Sequence, residues 1–375
     1  MKDKLLETPF PILKLDTMEQ NIEEMAQLAD KNDVSLRPMV KTHKSSEIAL
    51  KQLDYGANGV TVATLDEAET MISAGIKDIF IAYEIIGKAR IDRLLKLSRL
   101  ADISVAVDSL SGAEMLETHF APEGGALNYL IEIDSGLNRC GVKPGRPALE
   151  LYKKVEQNCN HLNLEGIFTH AGQVYGVSDP AEVEKIGRLE GRLMAETTKL
   201  FRKHKIKLDV VSVGSTPTVK YSAANPEITE IRPGNYVFYD NIQLGLNTVT
   251  IDQVSLSIQS TVISRPTSDR AIIDAGSKTL NLDKGAHGVD LVKGFGLVIY
   301  DNEVRKDFVI DHLSEEHGYI ILKSPSQKEL IVGDRINIIP NHSCAVTNLF
   351  NVLVGYRKNK FKKFIDVEAR RKIEL

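Results

Sequence analysis

The run Leu36-Arg37-Pro38-Met39-Val40-Lys41-Thr42-His43-Lys44 ends a short apolar segment with a lysine and follows it with a Thr-His turn. A lysine held at a rigid strand end and partly desolvated can lose its proton near neutral pH, which a Schiff-base amine requires, so Lys41 is the candidate. Taken alone, an ordinary loop lysine beside two other cations is the simpler reading of this segment. Two further turns, Gly214-Ser215-Thr216-Pro217-Thr218 and Gly234-Asn235, can present backbone N–H groups and hydroxyls to a phosphate. Each by itself is as readily plain turn chemistry. Together they point to one phosphate site, and a phosphate with a Schiff-base lysine indicates pyridoxal 5'-phosphate. Near the other end of the chain, His342 and Cys344 stand at i and i+2, so an extended backbone would project both to one face. Imidazole and thiolate form a borderline-soft pair that suits zinc, although an isolated His-x-Cys is more often two unrelated residues.

The elements that must position these groups alternate regularly. Pro11 to Leu15 reads as a strand, and Thr17 with Gln20 three residues later opens an amphipathic helix to Ala29. Strand-like runs then recur at Leu36–Val40, Gly59–Ala63, Ile79–Tyr83, Ile103–Val107, Tyr129–Ile133, Leu164–Thr169, Val210–Val213 and Glu230–Phe238. Helical patterns lie between most of them, at Ser46–Leu53, Leu65–Ala74, Ala89–Leu100, Ala148–Val155 and Glu182–His204. Such alternation implies parallel pairing, and these units close most naturally into an α/β, TIM-like (β/α)8 barrel. That fold puts chemistry at the carboxyl ends of its strands. Lys41, the segment from Asp134 to Arg139, His170 with Tyr175, the Gly214 turn and the Arg232–Asn235 segment all fall there. After Gln243 helical periods vanish, and β-type runs follow at Gln253–Ile263, Arg270–Asp274, Val289–Tyr300, Tyr319–Leu322, Arg335–Ile339 and Val352–Val354. The expected organisation is a barrel over 21–243 and a mainly β C-terminal domain over 244–375, which the strand within 1–20 joins.

Composition bounds the partners. The chain has 375 residues, 42% hydrophobic, with 47 Lys and Arg against 51 Asp and Glu. A formal charge of -4 offers no basic field for nucleic acid or anionic lipid. The beginning MKDKLLETPF has no apolar signal core, and no apolar run reaches the roughly 18 residues of a membrane span, so a cytoplasmic protein is expected. Three cysteines, none in a CxxC spacing, argue against a disulfide framework. Cys140 and Cys159 read as packing residues, His119, His161, His204 and His312 as solvated, and the lysines of 358–363 as a solvated hairpin edge.

The residues also resemble a known family, the fold-type III pyridoxal-phosphate enzymes, within it the D-threonine aldolase and D-serine dehydratase group. Arg37 to Lys44 looks like that group's RPHxKTHK signature, Thr169 to Tyr175 its HAGxxY stretch, and Ile231 to Tyr236 its RPGxY phosphate segment. Ser314 to Gly318 and Pro340 to Cys344 match its C-terminal motifs, and Met39 departs from it where the family has His. The resemblance implies that Lys41 carries the cofactor. It also implies that Arg139, in a DxGxxRxGV-like segment, contacts the cofactor ring and that Tyr175 lines it. Gly214, Ser215, Thr218, Gly234 and Asn235 would hold the phosphate, and His342 and Cys344 a divalent metal, zinc ahead of manganese. His170 is a candidate base or equally a ring contact. The implied activity is a metal-assisted lyase on D-3-hydroxy amino acids, by retro-aldol cleavage or by dehydration, in a homodimer. The alternatives are an amino-acid racemase, which gives His342 and Cys344 no task, and a non-catalytic cofactor carrier.

Overall fold

The computed structural model describes residues 6–177, 179–284, 292–323 and 330–371. The chain divides into two compact units. One takes the residues up to Ile22, Tyr175–Pro180 and Asn235–Val367; the other takes Glu23–Val174, Ala181–Gly234 and the residues from Glu368. The exchanges at Ile22, Val174 and Gly234 place Tyr175 and Asn235 in the first unit, whereas the sequence expectation had both in the barrel.

The first elements are β1 (Phe10–Lys14), α1 (Leu15–Lys31) and β2 (Ser35–Leu36). The barrel continues through α2 (Ser46–Asp54), β3 (Val60–Val62), α3 (Leu65–Ser73), β4 (Asp78–Glu84), α4 (Lys88–Ser98), β5 (Asp102–Val107), α5 (Leu110–Phe120) and β6 (Leu127–Ile133). It is completed by α6 (Arg146–Asn158), β7 (Leu162–Thr169), α7 (Ala181–Lys203), β8 (Val210–Val213), α8 (Val219–Ser222) and β9 (Glu230–Ile231). Strands β2 to β9 form one parallel eight-stranded sheet in the order β2-β9-β8-β7-β6-β5-β4-β3. Its outer strands meet again where Asn58 donates to the Leu36 carbonyl and Thr61 to that of Pro38, at 2.9 and 2.8 Å. Strands buried on both faces need short continuous apolar runs, and helices must cover them outside, which is the pattern the sequence carries. Helix starts are specified locally: Thr64 and Ser109 accept side-chain caps from the N–H groups of Glu67 and Gly112. Inside the barrel Phe80, Ala106, Leu130 and Phe168 form a layer, with the Phe80 and Phe168 rings edge to face at 4.9 Å. Each such ring contributes about 2–3 kcal/mol by leaving water.

Two strands are shorter than the sequence pattern indicated. The run expected at Leu36–Val40 is strand only through Leu36, and Val40–Thr42 turns as a 3-10 helix. Pro38 has no N–H to give to a ladder. Likewise the run from Glu230 is strand only through Ile231; Pro233 follows and Asn235–Val237 is a 3-10 turn. Helix α5 also went unnamed, because its polar residues blur the apolar period.

The other unit adds α9 (Asn241–Gly245), β10 (Leu256–Thr267), β11 (Arg270–Ile273), α10 (Ser277–Leu280), β12 (Leu297–Tyr300) and β13 (Glu303–Leu313). It ends in β14 (Gly318–Leu322), β15 (Arg335–Ile339), α11 (Ser343–Thr347), β16 (Val352–Arg357) and β17 (Lys360–Asp366). Its sheet has the order β11-β14-β13-β12-β15-β10-β1-β16-β17, and β11 also pairs with β10, so six strands curl around a core that includes Ile258, Phe308, Ile320 and Ile338. β1 lies between β10 and β16. The charged strand β13 was not recognised in the sequence, and residues 289–291 of the run expected to start at Val289 lie outside the described residues. Lysine-rich β17 is the sheet edge, after a turn whose Lys358 and Asn359 both have positive φ.

Candidate active site

In the barrel unit, Pro38 and Gly234 bring two chemistry-bearing segments together. Met39 donates to the Pro233 carbonyl at 3.0 Å. A Cβ on Gly234 would meet the Met39 carbonyl oxygen at 2.8 Å and Thr42 Oγ1 at 3.0 Å, so glycine there allows the approach. Lys41, half-buried, sits within this 3-10 turn. His43 is fully buried and pinned: Nδ1 accepts from the Ser45 N–H, so Nε2 carries the proton and donates to Gln52 Oε1 at 3.2 Å. Burial pulls its pKa down to about 4, so the imidazole is neutral.

His170, at the end of β7, is pulled down to about 3 by burial and then by the Lys41 charge, which locates the lysine amine near the ring. Its Nδ1 lies 2.8 Å from the Gly214 carbonyl oxygen. A carbonyl only accepts, so Nδ1 is protonated and Nε2 bears the lone pair.

The Gly214 turn rests on a residue that sequence reasoning missed. Glu190, fully buried on α7, accepts the Gly214 N–H at 3.1 Å on one oxygen and the Thr218 hydroxyl at 2.9 Å on the other. Thr218 Oγ1 also lies 2.9 Å from Ser215 Oγ. The side chain of Thr218 and the N–H of Gly214 therefore hold the turn itself. The main-chain N–H groups of Ser215 and Gly234, both in buried residues, have no hydrogen-bond partner among the described residues. Orphaned buried donors of this kind call for an anion. Arg232 was also passed over as an individual residue. It is buried, donates to Ser212 Oγ at 2.7 Å and to the Thr169 carbonyl, and lies over the Phe168 ring at 5.1 Å. Arg139, half-exposed, pairs with Glu132 at 3.6 Å.

In the other unit the candidate metal residues converge with Asn235 and Tyr175 around Asp240. This fully buried carboxylate accepts from Asn235 Nδ2 at 2.6 Å, from the Ser343 N–H at 3.0 Å and from the Gln243 N–H at 3.1 Å. Burial raises its pKa. Asn235 Nδ2 also reaches Ser343 Oγ at 2.9 Å and Cys344 Sγ at 3.9 Å, while its Oδ1 is buried without a partner. The Asn235 amide donors are thus spent on Asp240, Ser343 and Cys344. Burial, then the Cys344 and Asp240 charges, push the Tyr175 phenol up. His342 Nδ1 lies 2.7 Å from Asp283 Oδ2, and the same ring hydrogen-bonds with Cys344. Burial alone would lower His342, but Cys344, Asp283 and Asp240 hold it well above its ordinary value. An imidazole oriented through Nδ1 by a carboxylate, beside a thiol, is a donor set that fits a zinc-class ion. All three cysteines are unbridged.

The alanine racemase N-terminal domain family matches residues 13–241, and a domain family described for serine dehydratases matches 255–356. The D-threo-3-hydroxyaspartate dehydratase of Delftia sp. (strain HT23) is 33% identical, covering 92% of this chain and 93% of that protein. The chain belongs to the fold-type III D-threonine aldolase and D-serine dehydratase family. It is an enzyme of that pyridoxal-phosphate-dependent lyase family. The D-threonine aldolase of Arthrobacter sp. is 30% identical over 97% of this chain and 93% of its own. Solved structures of D-threo-3-hydroxyaspartate dehydratase include a His-to-Ala mutant with a TM-score of 0.89 and, in a metal-free form, a Cys-to-Ala mutant with one of 0.88. Both are 30% identical and cover 96% of this chain and 95% and 97% of theirs. The two mutated positions are two residues apart, the spacing of His342 and Cys344. Among the described residues no helix is long and apolar enough to cross a membrane.

Proposed function

We propose that this chain is a metal-assisted lyase that dehydrates a D-3-hydroxy amino acid to a 2-oxo acid and ammonia. The observation that carries the choice over retro-aldol cleavage is the state of His170. Its proton is fixed on Nδ1 by the Gly214 carbonyl, and a pKa near 3 makes it too weak a base to take a β-hydroxyl proton at neutral pH. It serves as a ring-packing group. Lys41 Nζ, whose charge acts on the His170 ring, is then the group that takes the α-proton.

Ser215 and Gly234, through their unpartnered N–H groups, with the N–H of Asn235, would hold the cofactor phosphate; Gly214 and Thr218 would shape that turn from behind. Lys41 would hold the cofactor carbonyl carbon, with Arg139 and Tyr175 beside the ring. His342, through Nε2, and Cys344 would hold the metal, and the thiolate favours zinc over manganese. When bound, the cofactor supplies an electron sink at Cα and the metal supplies Lewis acidity toward the substrate's β-oxygen. Asp283 keeps the His342 ring oriented, and Asp240 ties Asn235 to the Ser343 turn beside Cys344. The sequence likeness to a D-threo-3-hydroxyaspartate dehydratase and the two-residue spacing of its mutated His and Cys support this reading. We further propose that the enzyme works as a homodimer, which sedimentation equilibrium tests. The deciding experiment incubates purified enzyme with D-serine, D-threonine and D-threo-3-hydroxyaspartate and measures 2-oxo acid and aldehyde separately. The expected product is 2-oxo acid from the D-isomers alone; aldehyde with glycine would assign the aldolase path, and interconversion of enantiomers without cleavage a racemase.

A further inference from the structure

The barrel mouth holds a second polar cluster that the reaction above leaves unused. Glu84 at the end of β4, Glu132 near the end of β6 and Cys140 in the loop after β6 have ligand atoms all within 4.8 Å of one another. Glu132 is almost fully buried, and Oε1 of Glu84 is shut off from solvent with no hydrogen-bond partner. Among the described residues the cation that pairs with Glu132 at close range is Arg139, at 3.6 Å. We propose that Glu132, backed by Glu84, is the positioning residue that fixes the Arg139 guanidinium at the carboxyl end of β6. This rests on the assignment of Arg139 beside the cofactor ring.

Two carboxyl groups this close, with Glu132 buried and Glu84 half-buried, cannot both ionise near neutral pH, so the pair keeps one proton and its single charge balances Arg139. Burial, then Glu84, push Glu132 up to about 8. The groups facing it are Glu84 from β4, Arg139 and Cys140 from its own loop, and Arg232 from the end of β9. Asp108, after β5, accepts the Gly141 N–H at 3.2 Å and adds a further negative charge around Cys140. Asp134, two residues on, is neutralised by Lys143 at 2.6 Å and stands outside the balance. Burial and then the two glutamates raise the Cys140 thiol, so its reactivity reports the charge of the pair without any cofactor.

The test uses E84Q, E132Q, R139Q and the E132Q/R139Q double variant. In cofactor-free protein, the pH midpoint of Cys140 alkylation, read peptide by peptide, should fall in both E84Q and E132Q, because above pH 8 either change leaves one negative charge where there were two. In holoenzyme only E132Q should loosen pyridoxal phosphate and lower kcat, on the order of ten- to a hundredfold with KM little changed. E84Q should keep both near neutral pH and move the acid limb of kcat to higher pH, since a lone buried Glu132 lacks the shared proton that eases the first ionisation of the pair. The double variant should be no worse than R139Q alone. An unmoved Cys140 midpoint overturns the carboxyl pair. E132Q behaving as E84Q in the holoenzyme, or adding to R139Q, overturns the positioning while the Arg139 assignment stands. R139Q with unchanged cofactor affinity overturns that assignment, and the positioning with it. Should E132Q not fold, E84Q alone decides through the Cys140 midpoint and the shift of the acid limb.

Discussion

Glu190 offers a test in which two substitutions at one buried position should behave very differently. Its oxygens serve the Gly214 N–H at 3.1 Å and the Thr218 hydroxyl at 2.9 Å. In E190Q the amide oxygen can keep the Gly214 N–H, while the NH2 donates to Thr218 Oγ1, whose hydroxyl then turns to Ser215 Oγ at 2.9 Å. Ser222, whose hydroxyl also bonds Glu190, can accept the second amide hydrogen and donate to the Thr218 carbonyl at 3.4 Å, so E190Q should lie within about 1 kcal/mol of wild type. In E190A the Gly214 N–H is orphaned in the interior, which costs about 1–3 kcal/mol, and the lost contacts and cavity add about 1–2 kcal/mol more, for a total of about 2–5 kcal/mol. The turn that presents the Ser215 N–H also loses its backing, so cofactor affinity should fall in E190A and persist in E190Q. Burial raises the Glu190 pKa, so its contribution is fully present below the ordinary carboxyl range and is lost as pH rises through the folded value. E190Q cannot ionise, and it should therefore gain on wild type as pH increases. Urea midpoints of cofactor-free protein from pH 5 to 9, with cofactor titration by absorbance, measure all three. E190Q as damaged as E190A, or E190A within 1 kcal/mol of wild type, would refute the account of the turn.

Replacing Lys41 with Ala should abolish covalent retention of the cofactor after borohydride reduction, as intact-mass measurement reads directly. C344A, H342A or a strong chelator should remove the bound metal and lower lyase activity on the order of a hundredfold or more while the visible absorbance of the cofactor remains, and zinc should restore the chelated wild type; metal analysis alongside rates checks both. His43 is depressed from 6.5 to about 4, so its neutral burial stabilises the fold above the unfolded value, and about 3 kcal/mol is lost as pH falls from 6.5 to 4. H43Q should therefore lose less stability than wild type over that range, as urea midpoints show. H170Q should leave the pH–rate profile between pH 5 and 9 without a new or missing limb; loss of a limb would return His170 to the role of base.

The alternation of apolar runs and helical periods carried the barrel because each parallel strand is covered on both faces, a local demand that every segment must meet separately. Prolines carried less: Pro38 and Pro233 stop β2 and β9 early, and composition alone ran both strands on into the 3-10 turns that carry Lys41 and Asn235. Apart from Arg232, the site residues that escaped notice are carboxylates. Glu190 lies on a helix among exposed glutamates, and nothing local separates it from Glu182 or Glu184; only the packing of α7 under the Gly214 turn does. Asp240 did leave a trace, since its side chain caps α9 by accepting from the Gln243 N–H, a spacing visible in the sequence, but the cap gives no hint of Asn235 and Ser343. Glu132 left the clearest one. In the stretch Leu127–Ile133 a charged residue among buried apolar ones must have a partner, and β6 is packed on both sides. The partners Glu84 and Arg139 come from a strand 48 residues earlier and a loop 7 residues later, so the sequence could raise the demand but only the barrel could answer it.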